Sequence, residues 1–199
     1  MLTVKKLQST VPYGANTYLI SSGEDYAVID PAAPPDESFD LSKVRYVLLT
    51  HSHFDHILEI DTWVKGDCQV LIAKEELEYL KDASLNCYKL FFGVDKGYFG
   101  QAKGLSDKDV IKLGKEEILF RRTPGHTPGS GMYLSGKYAF VGDTVFAGGG
   151  YGRFDLPGGN YSMLSESIEQ VMSMDEDIYL FPGHGPHTTQ KEFKRDFRR

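Results

Sequence analysis

Short apolar segments separated by turn-forming residues run along most of this chain. Residues 2–8 alternate loosely between apolar and polar positions and predict a strand. The apolar segments 17–20 and 26–29 are joined by Ser22-Gly23-Glu24-Asp25 and predict a hairpin. The same reasoning predicts a turn at 11–14, hairpins at 109–120 and 131–141, and single strands at 46–49, 69–73 and 179–181.

Helical patterns lie between several of these strands. Gly66 closes the first of them, and Asn160 is a predicted N-cap for the third. The alternation of strands and helices favours an α/β fold over an all-β sandwich. The predicted helices are a short one at 57–65, a charged amphipathic one at 74–82, one at 161–174 with Leu164, Ile168, Val171 and Met172 facing the core, and a solvated basic one at 191–199.

Residues 84–108 interrupt this order with aromatic side chains and four spaced glycines. We interpret them as an insertion able to wall or cover a pocket. Phe91 and Phe92 are interpreted as core-packing residues of this insertion, and Tyr88, Tyr98 and Phe99 as pocket-wall residues.

The length of 199 residues predicts one domain, 1–199, and the 41% hydrophobic content is enough for a substantial core. A net charge of −6 argues against a general nucleic-acid binder. The two cysteines form no disulfide framework, and no apolar run approaches the roughly 18 residues of a membrane span. We therefore expect a cytoplasmic protein with neither nucleic-acid nor membrane partners, and the oligomeric state stays open.

The apolar segment at 46–49 ends in a cluster of histidines, which contains half of the six histidines of the chain. Imidazole and carboxylate groups are the ligands of zinc and similar divalent ions. In extended chain His51, His53 and Asp55 share one side, and His56 turns toward a second point. These four candidates exceed what one ion with an open position needs, so we predict two adjacent metals. A solvated loop or buried core histidines are the alternative.

Three later segments place further candidate ligands at predicted strand ends. His126 has Pro-Gly on both sides, His184 follows Pro182-Gly183, and Asp143 stands in Gly142-Asp143-Thr144. The rigid loops of His126 and His184 hold a ligand more often than they bury a core histidine, whereas Gly-Asp-Thr by itself usually marks a turn. Asp30, after the strand at 26–29, is interpreted either as a support for the metals or as a turn cap.

A glycine-rich loop at 148–159 carries one arginine. It does not match a phosphate-binding P-loop, because no Gly-Lys-Ser/Thr follows. Arg153 is placed to bind a substrate carboxylate or to pair with Asp155. Arg153 and Tyr151 are the predicted substrate-binding residues.

The motifs Thr-His-x-His-x-Asp-His, Pro-Gly-His-Thr-Pro-Gly-Ser, Gly-Asp-Thr and Pro-Gly-His-Gly occur in this order and resemble the metallo-β-lactamase superfamily over essentially the whole chain. The resemblance is strongest to the glyoxalase II (hydroxyacylglutathione hydrolase) group, in a short form without its C-terminal helical domain. It implies a four-layer αββα sandwich with two metals at one edge. It also implies that His51, His53 and His126 hold the first metal, that Asp55, His56 and His184 hold the second, and that Asp143 bridges them.

The activity implied by this resemblance is hydrolysis of a thioester such as S-lactoylglutathione or a related acyl-thiol. Two cations, zinc by expectation and iron or manganese as acceptable substitutes, would lower the pKa of a shared water to give the attacking hydroxide. Asp55 and Asp143 are the predicted catalytic residues. The alternatives are an iron persulfide dioxygenase using only His51, His126 and Asp143, another ester or lactone hydrolase of the same fold, and a module that only binds.

Overall fold

Two six-stranded β-sheets dominate the computed structural model, which describes residues 2–11 and 13–198. The first half of the chain forms the first sheet, in the order β1-β2-β3-β4-β5-β6. The first three strands are antiparallel, and β3 to β6 are parallel to one another. The strands are β1 Thr3–Leu7, β2 Thr17–Ser22, β3 Asp25–Ile29, β4 Val44–Leu48, β5 Gln69–Ala73 and β6 Ala102–Leu105.

The second half of the chain forms the second sheet and a small two-stranded ribbon. Its sheet order is β14-β13-β10-β9-β8-β7, in which only β10 and β13 pair in parallel. The strands are β7 Val110–Leu113, β8 Glu116–Arg122, β9 Gly131–Ser135, β10 Tyr138–Gly142, the ribbon β11 Val145–Phe146 with β12 Gly150–Tyr151, then β13 Tyr179–Pro182 and β14 Thr188–Thr189. All predicted hairpins and strands are confirmed.

The main core lies between the two sheets. Along β3, Ala27 and Ile29 join this core, while Val28 between them packs on the opposite face. This is the two-residue period of a strand with both faces buried. From the facing second sheet, the large side chains of Phe120 and Phe140 pack into this core.

Helices and loops cover the outer faces. Trp63 is fully buried against the outer face of the first sheet, and Phe193 and Leu164 are fully buried against that of the second. The predicted αββα sandwich of the α/β (α+β) class is therefore confirmed. The helices are α1 Ile60–Trp63, α2 Tyr88–Phe92, α3 Tyr161–Met172, capped by Asn160 as predicted, and α4 Gln190–Phe197.

Several sequence predictions need correction. Only α1 of the predicted helix 57–65 is helical, and residues 74–82 form a 3₁₀ turn at Lys74–Glu76 followed by further turns. The end of the segment 84–108 is strand β6, so the insertion is shorter than predicted. Helix α4 is not merely solvated, because Phe193 anchors it and Thr189 begins it with a capping box.

The predicted turn at 11–14 is closed by the Gly14 N–H, which donates to the Val11 carbonyl. Pro12 of that turn lies outside the described residues. Within 2–11 and 13–198, no helix has the length and apolar character needed to cross a membrane.

Candidate metal centre

The carboxyl ends of strands from both sheets meet at one edge of the sandwich. Strands β3 and β4 run parallel in the first sheet, as do β10 and β13 in the second, so the loops that leave them lie on the same side. Asp30 follows β3, His51 to His56 follow β4, His126 follows β8, Asp143 follows β10 and His184 follows β13. Reactive groups are thus presented on loops by a rigid scaffold.

All seven predicted ligands come together at this edge. Their nitrogen and oxygen atoms form groups in which every atom lies within 4.8 Å of the others. The groups are His51, His53 and His126; Asp55, His56 and His184; and His51, His56 and Asp143. The first two groups have the membership that the resemblance implied for the two metals.

Asp143 lies between the two groups. Its Oδ1 is 3.4 Å from His56 Nε2, and its Oδ2 is 3.7 Å from His126 Nε2 and 3.5 Å from His184 Nε2. The carboxylate therefore contacts members of both groups, which is the position a bridging ligand requires. Asp55 is 3.1 Å from His184 Nε2, within the second group.

Hydrogen bonds outside the cluster orient the imidazole rings. His56 Nδ1 donates to Asp30 Oδ2 at 2.9 Å, and His126 Nδ1 donates to the Arg153 carbonyl at 2.7 Å. The Thr50 hydroxyl donates to Asp30, so it accepts from His51 Nδ1 at 3.1 Å. With Nδ1 protonated in each ring, the Nε2 lone pair points into the cluster.

Asp30 is a support for this site rather than only a turn cap. It is buried, and its backbone is left-handed at φ 50°. Its carboxylate accepts from the Thr50 N–H at 2.8 Å and the Thr50 hydroxyl at 2.7 Å, as well as from His56. One carboxylate thus fixes the strand end that carries His51 and the ring of His56.

The unpartnered atoms of the cluster fit divalent cations. Buried His53 Nε2, His56 Nε2 and Asp143 Oδ1 have no hydrogen-bond partner. Among the described residues, the ion-pair partners of the Asp55 and Asp143 carboxylates are histidines, with no lysine or arginine within 4.0 Å. Buried negative charge without a cation is costly, and metal ions would compensate it.

Burial also keeps two of the histidines neutral. Loss of hydration lowers the pKa of His53 to about 3 and that of His51 well below its usual range, with nearby histidines adding to the effect. Burial opposes ionisation of Asp143, but His56 and the other histidines outweigh it and hold its pKa well below its usual range. Neutral imidazole and ionised carboxylate are the forms that bind metals.

A buried glutamate that the sequence reasoning missed ties two ligand loops together. Glu76 Oε2 accepts from the Ser52 N–H at 3.0 Å and from its hydroxyl, and Oε1 accepts from the Gly129 N–H at 2.8 Å. Ser52 stands between His51 and His53, and Gly129 belongs to the loop of His126. The pattern placed Glu76 on a charged helix face. Its position directly after buried strand β5, at the same sheet edge as Asp30, was the available signal.

Replacing Glu76 by alanine is expected to lower the free energy of unfolding by about 3 kcal/mol or more, because three donors lose their acceptor in a dry site. Metal content should fall with it, since both ligand loops lose their common anchor. Denaturant unfolding and metal analysis check this, with Glu78→Ala, an exposed glutamate two residues away, as the control. Equal stability and metal content in the two variants would contradict the role of Glu76.

A cavity of about 620 Å³ opens onto the cluster. The predicted substrate residues Tyr151 and Arg153 both line it, but the Arg153 guanidinium pairs with Asp155 through bonds of 2.9 and 2.7 Å. The core-packing role predicted for Phe91 and Phe92 is wrong, and the predicted pocket-wall residues Tyr88, Tyr98 and Phe99 line smaller surface clefts rather than this cavity. Phe91 and Phe92 line the cavity, whereas Tyr88, Tyr98 and Phe99 do not: Tyr88 packs on Phe54, Tyr98 is buried in the outer core, and Phe99 is exposed.

Comparison with known proteins agrees with this architecture. The model of the metallo-beta-lactamase superfamily matches residues 10–184. The "Probable metallo-hydrolase YqgX" of Bacillus subtilis is 32% identical over 89% of this chain and 88% of its own length. The "Hydroxyacylglutathione hydrolase GloC" of Haemophilus influenzae is 29% identical over 85% and 84%.

Among solved structures, TTHA1623 in a di-iron-bound form has a TM-score of 0.80 and 28% identity, and covers 98% of each chain. With the family model matching most of the sequence and the ligand cluster in place, the chain belongs to the metallo-beta-lactamase superfamily of metal-dependent hydrolases.

Proposed function

We propose that this protein is a dinuclear metallohydrolase that cleaves thioesters such as S-lactoylglutathione or a related acyl-thiol. The observation that carries the proposal is the pair of ligand groups joined by Asp143 at the floor of one cavity. The similarity to a hydroxyacylglutathione hydrolase supports the choice of a thioester.

Bound in the two groups, divalent ions would lower the pKa of a water molecule and polarise the carbonyl of the substrate. The chain supplies the remaining functions. Asp55 lines the cavity and is placed to accept a hydrogen bond from the attacking water, which would orient it. A thiolate can leave without a strong general acid, because the pKa of a thiol is about 8.5. No further titratable side chain is therefore required for that step.

The two-group geometry favours this proposal over the persulfide dioxygenase. A mononuclear iron site would use His51, His126 and Asp143 and leave the second group without a purpose. Here His184 contacts both Asp55 and Asp143, at 3.1 and 3.5 Å, and completes a second set of ligands. A structure similar to this one holds two iron ions, and histidine and carboxylate ligands also suit zinc and manganese.

The test begins with metal content per chain in protein purified without chelator or added metal. About two divalent ions are expected, together with thiol release from S-lactoylglutathione or a simpler thioester that ceases on chelation and returns with metal. If the protein instead holds a single iron per chain and consumes oxygen when glutathione persulfide is added, the persulfide dioxygenase would replace this proposal. Absence of thioester hydrolysis in fully metal-loaded protein would overturn it.

A further inference from the structure

An aromatic wall, defined here as Tyr13, Phe54, Phe91 and Phe92, stands beside the metal cluster. Phe54 is buried and anchors the wall. In the sequence it stands between the candidate ligands His53 and Asp55. Its ring centroid lies 5.2 Å from Phe91, 5.2 Å from Phe92 and 6.0 Å from Tyr13. The wall is thus built directly on the ligand loop, and all four of its members line the cavity.

The outer part of the wall is open to solvent. Phe91 is 50% exposed and Phe92 is 42% exposed, and both line the cavity. Phe146 and Leu156 also line this cavity. Covering a large exposed apolar surface at a concave site with an apolar ligand is favourable, because it removes apolar area from water.

The same cavity offers little to a charged ligand. Among the described residues that line it, Arg153 is the one lysine or arginine, and the Asp155 carboxylate already pairs with it. The remaining acidic side chains, Asp55 and Asp143, belong to the ligand groups. Glutathione carries two carboxylates, and the described residues that line this cavity include no uncommitted lysine or arginine to pair with them.

We propose that the preferred substrates are thioesters of uncharged, apolar acyl groups of roughly hexanoyl or phenylacetyl size, with the acyl group lying on the aromatic wall. This inference rests on the proposed thioester hydrolysis. In that reaction the oxygen of water forms the new bond to the acyl carbon, the carbon–sulfur bond breaks, and sulfur leaves with the electron pair and takes up a proton. The acyl group is assigned to the wall because Phe54, the base of the wall, stands between His53 and Asp55 in sequence, so the wall begins beside the ligand groups that would hold the metals.

The test uses metal-loaded enzyme and acyl thioesters of N-acetylcysteamine, a small uncharged thiol that stays constant through the series. Acetyl, butyryl, hexanoyl, phenylacetyl and lactoyl thioesters are compared with S-lactoylglutathione by kcat/KM for thiol release. We expect kcat/KM to rise about two- to fourfold per methylene from acetyl to hexanoyl, since full burial of a methylene corresponds to about fourfold in affinity. S-lactoylglutathione should fall below the hexanoyl thioester.

Phe91→Ala and Phe92→Ala are each expected to reduce the ratio of kcat/KM for the hexanoyl thioester to kcat/KM for the acetyl thioester by about fivefold or more. Leu90→Ala is the matched control, because Leu90 lies in the same helix, is 63% exposed and does not line the cavity. The wild-type series decides the question even if a variant does not fold. A flat acyl series with active enzyme would overturn this inference alone, whereas inactivity on every thioester would overturn the proposed function as well.

Discussion

Asparagine in place of Asp143 is expected to lower kcat/KM for thioester hydrolysis by about a thousandfold or more. The carboxylate lies within 3.4 to 3.7 Å of histidines from both ligand groups. A neutral amide would leave both groups short of one negative charge and one shared oxygen. Loss of supporting partners around a metal typically costs 10- to 100-fold, and loss of a central ligand should cost more.

Metal analysis of the Asp143→Asn protein should show a fall from about two ions per chain to about one or fewer. Its fold should survive, because asparagine has nearly the same volume and Asp143 takes no part in the sheet core. Asp177→Asn is the control, since that carboxylate is exposed and pairs with Lys137 away from the cluster. Wild-type activity and metal content in Asp143→Asn would remove the basis for the two-metal proposal.

A methyl group at Gly125 is expected to lower the free energy of unfolding by about 3–5 kcal/mol and to abolish most activity. Gly125 has φ 130°, which L-residues rarely adopt, and a Cβ there would lie 2.1 Å from the Leu164 backbone nitrogen. The strained backbone and the forced shift of a buried helix each cost about 1–3 kcal/mol. His126 follows directly, so any relief of the clash moves a ligand.

Gly136→Ala separates the two causes of this loss. Gly136 also has a positive φ, at 56°, but a Cβ there meets nothing within 4 Å. It should therefore cost only about 1 kcal/mol and leave activity intact. Denaturant unfolding and thioester turnover of both variants check the comparison. Similar losses in the two would show that the contact of Gly125 with α3 does not matter.

Asp143→Asn and Gly125→Ala together distinguish the loss of a metal ligand from the loss of the packing that positions a ligand loop. Asp143→Asn removes a ligand without a steric clash, so metal content should fall while the chain still folds. Gly125→Ala disturbs the packing of a ligand loop on α3, to which the loop is also tied by the Asn160 N–H donating to the Gly125 carbonyl at 2.8 Å. Stability and metal content should then fall together.

The strands and the first cluster of candidate ligands were predictable because both are encoded locally. The continuous apolar segment 26–29 of β3 marks a strand buried on both faces, and the residues Gly114 and Gly136 mark the turns of two hairpins. The spacing within His51-x-His53-x-Asp55-His56 carries its chemistry in six residues. The helix predicted at 74–82 was wrong. That pattern placed Glu76 on a charged helix face, but its carboxylate is buried and accepts hydrogen bonds from donors that lie 24 and 53 residues away in sequence.

The sequence alone determined the class of fold and the location of the candidate ligands at strand ends. Only the tertiary structure decided that Asp30 supports His56, that Glu76 joins two ligand loops, and that Phe91 and Phe92 rather than Tyr98 and Phe99 line the cavity. Periodicity reports whether a side chain is buried, but not which partner buries it. That partner is set by how the two sheets pack and where their loops cross, and those contacts join residues far apart in the chain.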